Sequence, residues 1–157
     1  MALTVSLQGL GRFDGLPARS TLVRWLKAAL ERDAELTLRF VGAAEARRLN
    51  REFRGKDYAT NVLTFDYQHV PVVRADIVLC VPVVRREARE QRKGFRDHLA
   101  HLVVHGVLHA QGHDHDRAAA ARTMEAREVR VLARLGIDDP YRDGGVAGRA
   151  GRSAPGL

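Results

Sequence analysis

The stretch ADIVLCVP, residues 75–82, sets the reading of the fold. Residues 76–81 form a nearly continuous apolar run rich in β-formers, closed by Pro82. A half-exposed strand alternates apolar and polar residues, so an unbroken run of this length fits a central strand covered on both faces. Upstream, residues 60–65 (TNVLTF) are again rich in β-formers, and two further segments alternate, through Leu3, Val5 and Leu7 and through Leu36, Leu38 and Phe40. Helical spacing separates these strands. Leu22, Trp25, Leu26, Ala29 and Leu30 make one stripe within residues 17–31, and Ala46, Leu49 and Phe53 make another. Beyond the apolar run the pattern is helical from Pro82 to Gly112, interrupted at Gly94. A last helix starts near Asp116 and turns Met124, Val131, Leu132 and Leu135 inward. The order predicts an α+β fold, a small mixed sheet of about four strands packed with about five α-helices. Residues 1–142 are expected to form a single domain, and the Gly/Arg-rich residues 143–157, which lack apolar periodicity, a disordered tail.

The bulk properties narrow the function. A chain of 157 residues, 45% hydrophobic and 29% charged, has room for one well-buried core. It contains no apolar run of the roughly 18 residues that a membrane span needs. The opening MALTVSLQGL has no basic segment followed by an apolar one, so no export signal is expected. With Cys80 as the single cysteine no intrachain disulfide can form, and the cytoplasm is the expected compartment. The formal charge of +7 favours polyanionic partners, nucleic acid first among them. With Arg149 and Arg152 of the tail set aside, 24 basic residues still face 19 acidic ones.

Six of the seven histidines lie between His98 and His115, four of them in HGVLHAQGHDH, residues 105–115. Residues four apart on a helix share a face, so His105 and His109 can converge on one ion. His101 lies on the same stripe but about 12 Å along the axis from His109, and three imidazoles in a row cannot surround one tetrahedral centre. The third ligand must come from chain that has left the helix. Gly112 offers the exit, since glycine takes the left-handed conformation that ends helices. His115 then has enough chain to fold back, whereas His113 directly follows the turn, and His98 and His101 rank lower still. Three protein ligands leave a fourth position open, the arrangement of a catalytic zinc site. In the zinc-peptidase signature a glutamate follows the first histidine as general base. Gly106 stands there, which counts against a peptidase.

The segment HGVLHAQGHDH resembles the motif H-G-x-L-H-x-x-G-[YH]-D-H of the YbeY family, single-strand-specific metallo-endoribonucleases also called rRNA maturation factors. LNREFRGKDYATNVLTFDY, residues 49–67, resembles the family's second block, and ADIVLC its strand before the later helices, with Ala75 where glycine is usual. The resemblance spans about residues 3–139. It implies one zinc ion held by His105, His109 and His115 at the end of a helix in the C-terminal half, and Arg54 in the cleft contacting the substrate or its transition state. A guanidinium matches the negative charge that builds on phosphoryl oxygens in bidentate fashion; without the resemblance, Arg54 beside Lys56 would read as a surface arginine. Asp114 is a candidate for orienting a ligand histidine. Asn61, Asp66 and Asp76 are weaker cases, each able to serve as a turn or strand-end residue that binds backbone.

The resemblance further implies cleavage of single-stranded RNA, in particular at the 3′ end of small-subunit ribosomal RNA, and a part in ribosome quality control. Ribosomal RNA and small-subunit components are the implied partners, with no membrane. The metal would act as a Lewis acid toward a phosphoryl oxygen or toward water. No residue declares itself the general base, and a metal-activated water or the RNA 2′-hydroxyl would take that part. The rival is an RNA-binding ribosome-assembly factor, weakly catalytic or not at all, whose metal only holds its shape.

Overall fold

The computed structural model describes residues 1–114 and 116–142. His115 and the tail at 143–157, with the expectations placed on them, lie outside the described residues. Among the described residues the chain forms β1 (Leu3–Gln8), α1 (Arg19–Ala29), β2 (Ala34–Val41), α2 (Ala43–Arg54), β3 (Val62–Gln68), β4 (Val73–Cys80), α3 (Val81–Glu90), α4 (Phe95–Ala110) and α5 (Ala118–Arg134), with a short 3₁₀ turn at Leu10–Arg12. The strands make one mixed sheet in the order β1-β2-β4-β3. β1 and β2 are parallel, β2 and β4 are parallel, and β3 runs antiparallel along the edge of β4. This is the expected α+β architecture.

The run at 76–81 divides between two elements. Residues 76–80 end β4, which lies between β2 and β3, and Val81 opens α3. Pro82 sits in the first turn of that helix, where its missing N–H would have no helical partner anyway. β4 also begins earlier than its apolar run, at Val73. The reason is uneven cover on the sheet's outer face. Near the ends of β2 and β4, Val41, Val78 and Cys80 are buried with Leu63 under Ala46 of α2 and Val83 of α3. Arg74 and Asp76, earlier on the same face of β4, lie beyond that cover and stay polar.

The inner face carries the main core. Leu36, Leu38 and Phe40 of β2 and Ala75, Ile77 and Leu79 of β4 meet Leu22, Trp25 and Leu26 of α1 and Met124, Val131 and Leu132 of α5. Through the middle of this core runs α4, in which every residue from His98 to Leu108 is buried. A helix covered on all sides has no polar face to spare. Its approach to the sheet depends on Gly106: a Cβ there would lie 2.9 Å from Ile77 Cγ2 and 3.4 Å from Thr64 Oγ1. The residue that counted against a peptidase thus also leaves the space that the Ile77 side chain occupies between α4 and the sheet. Gly106→Val is expected to lose about 1–3 kcal/mol of stability by overpacking, read as a lower urea midpoint at unchanged slope. An unchanged midpoint would mean that the helix can ride farther from β4.

Candidate metal centre

A helix buried on all sides can hold polar side chains only where each meets a partner. α4 carries four histidines, and buried glutamates from the flanking helices serve three of them. His98 Nε2 lies 2.9 Å from Glu87 Oε1 of α3, and the same carboxylate accepts from Asn61 Nδ2 at 3.0 and 3.3 Å. Asn61 Oδ1 in turn accepts from the Val62 N–H at 2.6 Å. Asn61 therefore binds backbone at a strand start, and also ties β3 to α3.

One turn further along, His101 Nε2 lies 2.8 Å from Glu128 Oε1, and His105 Nδ1 lies 2.7 Å from Glu128 Oε2. The Tyr141 hydroxyl donates to the same carboxylate. Burial works to raise the Glu128 pKa, but the hydrogen bonds from His101 and His105 outweigh it and hold the carboxyl well below its ordinary value. Burial is also the largest influence on His101 and lowers its pKa despite the nearby carboxylate. An ionised Glu128 beside a neutral His101 accounts for both directions. A carboxylate facing His105 Nδ1 favours the tautomer with its proton there, which leaves Nε2 the nitrogen to meet a cation.

His105 and His109 line a cavity of about 250 Å³ at the edge strand β3. Residues 62–65 of β3 form one wall, Phe53 and Arg54 close it from the end of α2, and Asp114 and Asp116 from the segment after α4. Arg54 is the last residue of its helix, which Gly55 ends at φ +70°. The far end of α4 closes as anticipated at Gly112, where φ is +101°. The Gly112 N–H donates to the His109 carbonyl at 3.0 Å and the His113 N–H to that of Leu108 at 3.1 Å. This paired closure reverses the chain and satisfies the last helical carbonyls.

Among the described residues the structure thus brings His105, His109, Arg54 and Asp114 to one cavity and gives the other described candidates different partners. His113 points toward Glu31, at 3.1 Å. Asp66 meets His69 at 2.7 Å, and Asp76 accepts from the Tyr67 hydroxyl at 2.8 Å. Asp114 accepts from the Asp116 N–H at 2.8 Å through Oδ1. The carboxylate against the His105 ring is Glu128, a residue that sequence reasoning missed. Its signal was present: Glu128 sits four residues from both Met124 and Leu132, inside the apolar stripe of α5. Glu87, beside Val83, Val84 and Ala88 in α3, shows the same pattern.

Among the described residues no group of three or more histidines, cysteines or carboxylates is arranged to hold a metal ion. Two of the three expected ligands are in view, and their chemistry suits a cation. They are imidazoles one turn apart that line one cavity, and an ionised carboxylate holds the rear nitrogen of His105 in the tautomer that cation binding requires.

Comparisons with known proteins converge on one family. The profile described as Endoribonuclease YbeY matches residues 17–136. A protein named Endoribonuclease YbeY from Paracidovorax citrulli is 56% identical over 148 residues, covering 90% of this chain and 97% of its own. One of the same name from Methylibium petroleiphilum is 59% identical over 123 residues, covering 78% of this chain and 83% of its own. The solution structure of TM1509 from Thermotoga maritima superposes with a TM-score of 0.55 at 25% identity, covering 98% of this chain and 99% of that one. The matched span takes in the central strand, the buried α4 with its glutamate partners and the cavity at the β3 edge, and on these grounds the chain belongs to the YbeY endoribonuclease family.

Proposed function

We propose that this protein is a cytoplasmic, zinc-dependent endoribonuclease specific for single-stranded RNA, acting on the 3′ end of small-subunit (16S) ribosomal RNA and in ribosome quality control beside small-subunit components. The observation that carries this reading is the meeting of His105, His109 and Arg54 in one cavity, in a chain of net charge +7. Relatives that share more than half of their aligned residues with it are named endoribonucleases. No described helix is long and apolar enough to cross a membrane. Residues 1–142 would act as one unit, the tail at 143–157 being an appendage.

In this reading His105 and His109 hold the zinc ion with His115, and the bound ion supplies Lewis acidity at the phosphodiester. The protein's own groups do the positioning. Glu128 keeps the His105 ring fixed and its proton away from the cavity. Arg54 lines the cavity from the end of α2, where its planar fork can take two oxygens of one phosphate. The cavity lies against an edge strand and at the surface, so a lone strand can be threaded past it.

The test pairs metal analysis of the purified protein with cleavage of a defined unstructured RNA and of the same strand annealed to its complement. Zinc near one per chain and cleavage of the single strand alone are expected, with activity lost to a chelator and restored by zinc. Cleavage that persists without metal, or none at all in the zinc-loaded protein, would overturn the reading.

Arg54 can be separated from the metal. Arg54→Ala is expected to leave zinc content and thermal stability nearly unchanged while lowering the cleavage rate by about 10²–10³, the usual cost of losing a donor to developing charge. Arg54→Lys should restore only part, since an ammonium keeps the charge and loses the fork. Wild-type cleavage in both variants would return Arg54 to the surface residues, and a loss confined to RNA binding would make it a backbone-positioning contact.

A further inference from the structure

The half of the outer sheet face that α2 leaves uncovered is polar across β2 and β4, yet it carries large aromatic rings at its β3 border. Phe53 is 64% exposed and Tyr67 is 67% exposed. Phe65 lies between them in sequence order along this border, half-buried, with its ring edge-on to Phe53 at a centroid distance of 5.3 Å. Phe65 and Tyr67 line the same groove, with Tyr67 at an irregularity where the β3–β4 register shifts between Asp66 and Gln68. Exposed aromatics of this size normally find cover in the core, and here two of them flank one groove. The groove, of about 270 Å³, is floored by Gln8, Thr37, Arg39 and Asp76. Phe53 and Phe65 line both this groove and the cavity lined by Arg54, His105 and His109, so the two adjoin.

The path also carries arginines that a phosphate can meet. Arg39 lines the groove beside Asp76, and Arg54 lines the cavity beside Asp114 and Asp116. Of the nearby acids, Asp76 accepts from the Tyr67 hydroxyl and Glu45 is engaged by Arg39. Aromatic faces interleaved with arginines on a flat sheet are how proteins hold unpaired bases, because every base offers a π face while a duplex hides its own.

We propose that Phe53 and Tyr67, with Phe65 propping Phe53 from beneath, form a stacking platform that seats unpaired bases of an RNA strand as its backbone enters the Arg54 cavity. The platform deepens the endoribonuclease reading and rests on it. It gives the preference for single strands a direct cause. A strand lying in the groove exposes its bases to the rings and its phosphates to Arg39 and Arg54.

The test measures equilibrium binding of the zinc-loaded full chain to a cleavage-resistant analogue of an unstructured RNA and to an abasic ribose-phosphate oligomer of equal length. Wild type should prefer the base-bearing strand. Tyr67→Ala should weaken binding of that strand by about five- to 150-fold, the range for one lost stacking contact, and Phe53→Ala should act likewise. Affinity for the abasic strand and the slope of affinity against salt should not change, since no phosphate contact is removed. Tyr67→Phe, which keeps the ring, should bind like wild type. Equal losses on both strands would assign the effect to charge or shape and overturn the platform. No loss on either would overturn it too, leaving the rings as a surface for a protein partner. Cleavage of ordinary RNA by the wild type decides the endoribonuclease reading separately, so either can fail without the other.

Discussion

His109→Ala and His115→Ala are expected to strip the bound zinc and reduce cleavage of single-stranded RNA to the level of the chelator-treated protein, with little change in the melting temperature of the metal-free form. His98→Ala and His101→Ala should do the reverse, keeping zinc and losing stability. The physical basis is the division of labour along α4. His109 is only half-buried and lines the cavity, so removing its ring takes less out of the core than removing a fully buried one. His98 and His101 are buried, with their Nε2 atoms against Glu87 and Glu128. Taking away either ring leaves a buried carboxylate short of a donor, which costs about 1–3 kcal/mol or more for a charged acceptor. His105 belongs to both groups, lining the cavity and donating to Glu128, so His105→Ala should lose zinc and stability together. Metal content and chelator-treated melts on the five variants decide the matter. Full zinc retention in the His115 variant would remove that residue from the ligand set.

Glu128→Ala is expected to be the most destabilising single change of polar chemistry in this protein. The carboxylate is fully buried and receives His101, His105 and the Tyr141 hydroxyl. Removing one side of such a network costs about 3–5 kcal/mol, a large share of the roughly 5–15 kcal/mol that holds a domain together. Glu128→Gln is the more informative variant, because it keeps the shape. A glutamine offers one oxygen and one NH₂ where the carboxylate offered two acceptors, so only one imidazole can keep its N–H toward it. If the NH₂ faces His105, the ring must accept at Nδ1 and move its proton to Nε2, the nitrogen expected to meet the metal. Zinc affinity should then fall by about 10–100-fold, the usual effect of losing a group that orients a ligand, with a smaller stability loss than alanine causes. Competition against a metal indicator gives the affinity, and urea unfolding of the metal-free protein gives the stability. Wild-type values for both in Glu128→Gln would show that the side chain merely fills space.

How far the site could be read in advance followed from the range of the interactions that build it. The pairing of His105 with His109 on one face is a matter of helical repeat, and the reversal at Gly112 depends on one residue's freedom at positive φ. Both are local, and the observed φ of +101° with its paired carbonyl closure matches the expectation. Arg54 came to attention through the resemblance alone, because nothing nearby in sequence marks it. It lines the histidine cavity because α2 ends beside β3. The histidines at 98 and 101 ranked low as ligands on spacing. Their actual partners, Glu87 and Glu128, come from other helices, 11 and 27 residues away.

The sequence by itself determined the alternation of strands and helices, the α+β class, the basic character and the one short segment dense enough in histidine to hold a metal. These follow from periodicity and composition, which act over a few residues at a time. The tertiary structure alone decided that α4 is buried on all sides, that Gly106 must be small to let it meet Ile77, that Glu128 closes the back of the His105 ring, and that Phe53 lies on the surface although its spacing matches a buried stripe. Each of these depends on which elements face one another. Helical and strand patterns state that a face is apolar or polar, but the partner of a buried charge and the reach of a covering helix are set only when the layers pack. α2 covers only part of the outer face of the sheet, and Phe53 near its end and Tyr67 on β3 stay exposed beside the groove.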